Sequence, residues 1–168
     1  MSLSIIVARD LNNAIGKDNK LLYNIKEDMK RFKELTTGHK VIMGRKTQES
    51  LPKKYLPNRI NMILTRTNSG TEIGLNYKIK YINDIEEIIS NYLSSDEEVF
   101  IIGGDSIYKQ FLPYADKIYL TKIYDVKLAD SYFKFNKDDF EIVSEIKQET
   151  EKGLKYSFIN LTRKGGNK

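Results

Sequence analysis

Short apolar runs rich in β-branched residues recur along the first two thirds of the chain, at 2–8, 41–43, 60–65 and 99–102. Runs of this length and composition are typical of strands that are buried on both faces of a sheet. Between them, apolar residues at helical spacing predict helices over 25–35, 84–93 and 106–111. This alternation of strands and helices predicts an α/β fold.

The helix predicted over 25–35 has one apolar stripe, formed by Ile25, Asp28, Met29, Phe32 and Leu35. Glu27, Arg31 and Glu34 fall on the opposite face, which we expect to contact solvent. Asp28 is the one carboxylate within the stripe. Burying an unpaired carboxylate is unfavourable, so its position indicates a partner or a ligand rather than a simple interaction with the helix dipole.

The last third of the chain has a different pattern. Runs at 117–123, 140–146 and 155–161 alternate or stay apolar, and no helical stretch separates the last two. We therefore expect an antiparallel hairpin that closes the sheet. Its connection, 149–153, is polar and predicted to be mobile, and 165–168 is predicted to be a disordered tail.

The composition narrows the class of protein. With 168 residues, 40% hydrophobic and 30% charged, the chain has the size of one globular domain and is neither a membrane protein nor a disordered one. It contains no cysteine, which excludes disulfides and thiolate metal sites. The apolar start ends at Arg9 and Asp10, too early for a signal peptide, so we expect a cytoplasmic protein. A net charge of +5 favours anionic partners.

Three predicted strands end in turns suited to phosphate groups. Gly44 is followed by Arg45, Lys46 and Thr47; the strand at 60–65 is followed by Arg66; and the strand at 99–102 is followed by paired glycines. Ligand sites in open α/β sheets form at the carboxyl ends of strands, where helix N-termini and cations attract anions. Each turn alone is a weak signal, and three together are a stronger one.

At this point the chain resembles dihydrofolate reductase over nearly its whole length. The resemblance rests on six motifs in family order: Ala14-Ile-Gly16, Asn24 with Asp28, Val41-Ile-Met-Gly-Arg45 with Thr47, Leu56-Pro-Asn-Arg59, Ile101-Ile-Gly-Gly104 with Tyr108, and Tyr119-Leu-Thr121. Several separate motifs at family spacing are far harder to obtain by chance than one.

The resemblance implies a single domain over 1–164 with a central mixed, mostly parallel eight-stranded sheet, helices on both faces and an antiparallel C-terminal strand. It implies reduction of 7,8-dihydrofolate to 5,6,7,8-tetrahydrofolate by NADPH, with hydride from the nicotinamide and proton delivery assisted by Asp28. Dihydrofolate and antifolate inhibitors are the implied partners. We expect a monomer and no nucleic-acid or membrane partner.

The resemblance also assigns residues. The implied catalytic residues are Asp28, Tyr23 and Thr121. The implied substrate site adds the apolar walls and the arginine that grips the glutamate carboxylate: Ile6, Ala8, Phe32, Leu51, Leu56 and Arg59. The implied cofactor site comprises Ala8, Ile15, Gly16, Gly44, Arg45, Lys46, Thr47, Leu64, Thr65, Arg66, Ile102, Gly103, Gly104, Asp105, Ser106, Ile107 and Tyr108. No metal site is predicted.

A loop over 14–23 resembles the family's mobile loop, and Asp130 stands in the facing loop that can latch it. Leu22 and Tyr23 replace the family's usual Pro-Trp pair, whose Trp helps to hold a water near the acid.

Two alternatives are open at the level of sequence. Another NADPH reductase of the same fold, such as the pyrimidine reductase of riboflavin synthesis, does not need a carboxylate at Asp28, so Asp28 together with Arg59 favours folate. A basic nucleic-acid-binding module would cluster its cations with exposed aromatic residues, whereas the candidate arginines lie at strand ends.

Overall fold

The structure, a computed structural model, describes residues 2–92 and 95–165. Its strands are β1 (Ser2–Arg9), β2 (Ala14–Lys17), β3 (Lys20–Leu21), β4 (Lys40–Gly44), β5 (Ile60–Leu64), β6 (Gly70–Ile73), β7 (Lys78–Ile82), β8 (Glu98–Gly103), β9 (Lys117–Ile123), β10 (Ser131–Tyr132), β11 (Phe140–Glu149) and β12 (Lys155–Arg163). Its α-helices are α1 (Lys26–Thr36), α2 (Arg45–Ser50), α3 (Ile85–Tyr92) and α4 (Asp105–Phe111).

One mixed sheet organises the molecule, in the order β11-β12-β9-β1-β8-β4-β5-β7-β6. The six strands from β9 to β7 pair in parallel, and the outer pairs β11·β12, β12·β9 and β6·β7 are antiparallel. The predicted fold class and the C-terminal hairpin are therefore confirmed. A small second sheet joins β10, β2 and β3.

The main sheet has nine strands, where eight were expected. The edge strand β6 is exposed at all four of its residues and joins the sheet through backbone hydrogen bonds to β7. Such a strand has no apolar pattern to reveal it, because its register depends on its neighbour and not on burial.

The core lies on both faces of the sheet. Leu3, Ile5 and Val7 of β1 pack in a cluster with α3 and α4, whereas Ile6 of the same strand packs on the opposite side with Phe32 of α1. Successive side chains of a strand point to opposite faces, so this alternation places helices on both faces, as predicted.

Helix α1 begins and ends one residue later than predicted, and two of its side chains lie differently from the prediction. Met29, predicted to be buried, is 45% exposed because it lines an open cleft. Arg31, predicted to contact solvent, is half-buried: its NH2 donates to Asn160 Oδ1 (2.6 Å) and its guanidinium lies over the Phe158 ring. A helix wheel cannot show that the long strand β12 covers this face.

The C-terminal hairpin extends beyond its predicted bounds, because β11 and β12 pair along their whole lengths. Its connection is a compact hydrogen-bonded turn: Thr150 N donates to the Leu154 carbonyl, and Leu154 N donates to Thr150 Oγ1. Of the predicted tail, Gly165 lies in a turn and 166–168 lie outside the described residues. Residue 93, the predicted end of the helix over 84–93, also lies outside them.

Within 2–92 and 95–165, no helix is long and apolar enough to cross a membrane. In the same residues, no group of three or more His, Asp or Glu side chains is arranged to hold a metal ion.

Candidate active site

A cleft of about 1490 Å³ opens at the carboxyl ends of the central parallel strands, between α1 and the starts of α2 and α4. It collects side chains from distant parts of the chain, because the ends of parallel strands share one edge of the sheet. Nearly all the residues predicted for the site line it: Ile6, Ala8, Ile15, Gly16, Asp28, Phe32, Gly44, Arg45, Lys46, Thr47, Leu51, Leu56, Leu64, Thr65, Arg66, Ile102, Gly104, Asp105, Ser106, Ile107, Tyr108 and Thr121. Three predicted residues do not: Tyr23, Arg59 and Gly103.

Asp28 provides the carboxylate of the cleft. It is half-buried in the first turn of α1, and its Oδ1 accepts a hydrogen bond of 2.5 Å from Thr121 Oγ1 of β9. Burial raises the pKa of Asp28, while the Thr121 hydroxyl and the Arg31 charge act in the opposite direction. Thr121 takes one acceptor position on Oδ1 and thereby orients the carboxylate, whose remaining acceptor positions can bind a ligand.

Apolar side chains form the walls on either side of Asp28: Ile6, Phe32, Leu51, Leu56 and Ile102. One of these walls is fixed by Asn61, a residue that was not among those predicted. Asn61 is fully buried in β5, where its Oδ1 accepts from Leu56 N (2.8 Å) and its Nδ2 donates to the Leu56 carbonyl (3.0 Å). A polar residue inside the apolar run at 60–65 was the available signal.

Arg59 lies behind the cleft and not at its surface. It is 8% exposed; its Nε donates to the Pro57 carbonyl (2.8 Å) and its NH1 to Thr36 Oγ1 at the end of α1 (2.9 Å). Burial lowers its pKa. In this conformation Arg59 braces the segment after Pro57 against α1, and sequence spacing alone could not show that the guanidinium faces inward.

Two glycine turns bring backbone to the opposite side of the cleft. A Cβ on Gly44 would lie 3.0 Å from Ile107 Cγ1, so a side chain there would require the Ile107 side chain of α4 to shift by a few tenths of an ångström. Gly103 has a φ of +114°, which favours glycine, and a Cβ on it would lie 3.1 Å from the Tyr108 ring. Tyr108 is buried there, and its hydroxyl donates to the Ile6 carbonyl (2.8 Å). Because neither glycine has a side chain, main-chain atoms form this side of the cleft surface.

Cations and hydroxyls surround the glycine turns. Arg45, Lys46 and Arg66 line the cleft together with Thr47 and Thr65. Arg45 NH1 forms an ion pair of 2.8 Å with Glu49 Oε2 on the exposed surface of α2. Since an exposed pair of this kind stabilises little, Arg45 can exchange Glu49 for a more strongly charged anion.

The loop after β2 closes over one end of the cleft. Asp130 Oδ2 accepts from Asp18 N (3.0 Å), Asp130 N donates to the Gly16 carbonyl (3.0 Å), and Asn19 Nδ2 donates to the Lys46 carbonyl of α2 (2.9 Å). The expected contact between Asp130 and this loop is therefore present.

Tyr23 points away from the cleft. Its hydroxyl donates to Asp10 Oδ2 (3.2 Å), and Lys127 Nζ lies 4.4 Å from the centre of its ring. Burial and the charges of Asp10 and Asp125 raise the pKa of Tyr23. The buried Asp10, which was not among the predicted site residues, accepts the hydrogen bond of this phenol. Its place directly after a buried strand was the available signal.

Comparisons with known proteins agree with this geometry. The family model described as dihydrofolate reductase matches residues 2–163. A dihydrofolate reductase of Haemophilus influenzae is 39% identical over 98% of this chain and 100% of its own length, and one of Bacillus subtilis is 36% identical over 99% and 97%. A solved dihydrofolate reductase from Enterococcus faecalis, complexed with NADP(H) and RAB-propyl, is 26% identical, covers 97% of this chain and 96% of its own, and superposes with a TM-score of 0.83.

Proposed function

The chain belongs to the dihydrofolate reductase family, and we propose that it reduces 7,8-dihydrofolate to 5,6,7,8-tetrahydrofolate with NADPH in the large cleft, where Asp28 is the acidic residue of the substrate site. One observation carries the assignment of the site. A half-buried carboxylate, oriented by Thr121, lies between apolar walls on one side and a cationic, glycine-lined surface on the other.

Asp28 performs two tasks in this proposal. Its carboxylate binds the donors on the edge of the pterin ring, and its negative charge makes the ring nitrogen that is protonated more basic. Thr121 holds Oδ1 and so fixes the direction in which Oδ2 faces the substrate. The walls formed by Ile6, Phe32 and Leu56 exclude water, which strengthens both interactions.

NADPH supplies the hydride when it is bound, and the residues of the cleft fit it in charge and shape. Arg45, Lys46 and Arg66 suit its phosphate groups, with Thr47 and Thr65 as further hydrogen-bond donors. Gly44 and Gly104 let backbone N–H groups approach, since the helices that follow them start without a side-chain cap. The Enterococcus faecalis relative with NADP(H) supports the same cofactor.

We propose that 1–164 form one domain, that the enzyme works as a cytoplasmic monomer, and that antifolates bind in the cleft. The bonds to Pro57 and Thr36 use two of the five N–H donors of Arg59, and we propose that the other donors on NH1 and NH2 contact the glutamate carboxylate of dihydrofolate. Arg45, Lys46 and Arg66 line this cleft, which favours a phosphorylated small molecule over nucleic acid.

Asp28→Asn tests the assignment. The variant keeps the hydrogen bond from Thr121 but loses the negative charge. We expect it to lose about 2–4 kcal/mol of transition-state stabilisation. The rate of NADPH oxidation with dihydrofolate at neutral pH should therefore fall roughly 30- to 1,000-fold. NADPH binding, measured by fluorescence titration, should be unchanged. Glu27→Gln is the matched control, because Glu27 is an exposed neighbour on the same turn. Turnover close to that of the parent enzyme would remove Asp28 from its role.

A further inference from the structure

Arg31 is a half-buried cation that the proposed reaction does not use. Its NH2 donates to Asn160 Oδ1 (2.6 Å), and its guanidinium carbon lies 4.5 Å from the centre of the Phe158 ring and 5.8 Å from that of Tyr119. Arginine binds aromatic faces and a planar amide more firmly than a flexible ammonium would. The guanidinium is therefore held in one place.

The register of the sheet puts this cation beside Asp28. In the pairing of β9 with β12, Thr121 lies opposite Phe158 and Tyr119 lies opposite Asn160. Both pairs share one face of the sheet, because Thr121 and Tyr119 are two residues apart. Asp28 is bonded to the first pair and Arg31 to the second.

The helix gives the same result. Asp28 and Arg31 are three residues apart in α1, which places them on one face with Cβ atoms roughly 5–6 Å apart. Helix and sheet thus place the two residues on one face, and both are half-buried. Burial weakens screening by water, so the charge of Arg31 favours the ionised form of Asp28 without needing a direct ion pair.

We propose that Arg31 is a positioning residue that keeps Asp28 ionised in the folded enzyme and thereby sets the pH range in which the cleft reduces its substrate. The second half of this statement rests on the function proposed above. Burial alone would favour the protonated acid, and Arg31 opposes that effect with a charge that cannot move away or be neutralised.

Other groups around Asp28 do not replace Arg31. Tyr108 and Tyr156 interact with Asp28 electrostatically but carry no positive charge, and burial raises the pKa of each. Thr121 contributes a neutral hydroxyl, and Glu27 adds a negative charge on the exposed side.

Glu98 is the other carboxylate near this face, and it has its own donors. Its Oε2 accepts from Ser4 Oγ (2.7 Å) and from Tyr119 Oη (2.9 Å). Asp28, rather than Glu98, is the carboxylate that opposes the lowering of the Arg31 pKa by burial. The field of Arg31 therefore acts on Asp28.

Arg31→Met is the decisive variant, since it removes the charge and keeps an apolar stem against Phe158. The pKa of Asp28 is measured in the full-length, ligand-free protein by ¹³C NMR titration of the carboxyl carbon, with Asp28→Asn used to assign the signal. The Asp28 pKa should rise by roughly one unit. Lys30→Met is the matched control, because Lys30 is an exposed cation on the same helix and its removal changes the net charge equally.

Arg31→Lys keeps the positive charge, so the pKa of Asp28 in this variant should stay close to its value in the parent protein. If Arg31→Met does not fold, Asn160→Ala frees the guanidinium and should raise the pKa of Asp28 by a smaller amount. An unchanged titration in the folded variants, or an equal shift in Lys30→Met, would overturn the proposal.

The second measurement is the pH profile of the hydride step, followed in the first turnover with deuterated NADPH. The rate is expected to fall as pH rises, and Arg31→Met should move that fall to higher pH by the same amount as the NMR titration. A profile that moves while the NMR titration does not would show that Arg31 acts on the substrate, which also contradicts the proposal. The NMR titration needs no turnover, so it decides the role of Arg31 even if the parent enzyme failed to reduce dihydrofolate.

Discussion

Glu27 and Asp28 are adjacent carboxylates whose surroundings give them different chemistry. Glu27 is exposed, whereas Asp28 is half-buried beside β9, with the Thr121 hydroxyl on Oδ1 and the Arg31 cation one turn away in α1. Neighbouring side chains on an α-helix point about 100° apart. This difference in direction places Glu27 in solvent and Asp28 at the cleft.

A residue-scale prediction concerns the choice of cofactor. NADPH and NADH differ by one phosphate group, so Arg45→Ala should weaken NADPH binding by about 1–2 kcal/mol and leave NADH binding nearly unchanged. Dissociation constants for both, from fluorescence titration at fixed ionic strength, check this. Lys53→Ala is the control, because Lys53 is an exposed cation outside the cleft. Equal losses for both cofactors would assign Arg45 a structural role, for instance through Glu49.

At the scale of elements, Asp10, directly after β1, binds three other segments of the chain. Its Oδ1 accepts from the N–H groups of Asn12 (2.8 Å) and Ala14 (3.0 Å), and its Oδ2 accepts from Tyr23 Oη (3.2 Å) and Lys127 N (3.1 Å). The end of β1, the start of β2, the segment before α1 and the loop after β9 are thus held by one buried carboxylate.

The element-scale prediction follows from these four donors. Asp10→Asn keeps one acceptor but places an NH₂ group opposite Lys127 N, so the free energy of unfolding should fall by about 1–3 kcal/mol. Tyr23→Phe removes one hydrogen bond and should lower it by about 1 kcal/mol. Urea unfolding measures both, and Asn12→Ala is the control, since the contact of residue 12 uses its backbone. Unchanged stability in Asp10→Asn would show that the four contacts contribute little.

At the scale of the whole molecule, Asp28 links stability to pH. Burial raises its pKa in the folded protein, so between the ordinary and the raised value the folded state binds more protons than the unfolded one. The contribution of this group to the free energy of unfolding therefore falls as pH rises through that window and stays low above it. Each unit by which the pKa is raised corresponds to about 1.4 kcal/mol.

Asp28→Asn removes this penalty, so the ligand-free variant should be more stable than the parent at about pH 7.5, and the difference should vanish towards about pH 4. Thermal unfolding across this pH range measures the effect, with Glu27→Gln as the control. The residue that serves the reaction would then be one that destabilises the empty enzyme. A variant that is equally stable at both ends of the range would contradict the sign of this linkage.

The sequence by itself determined the α/β class, the central strands, the positions of the main helices and the glycine turns at strand ends. These features are local: a run of β-branched residues or a stripe at helical spacing depends only on neighbours in the chain. Asp28 was found for the same reason, since a carboxylate inside an apolar stripe is visible without a structure. The family motifs then identified what such a cleft reduces.

Only the tertiary structure decided the surroundings of individual side chains. Arg31 is half-buried because β12, more than a hundred residues further along the chain, covers that face of α1. Met29 is exposed because a cleft opens beside it. Tyr23 donates a hydrogen bond to Asp10, and Arg59 donates one to Thr36. The pattern of apolar residues along the chain does not show that these segments lie close together. Periodicity gives the direction of a side chain relative to its own helix or strand. The group that this side chain contacts depends on pairings between distant parts of the chain.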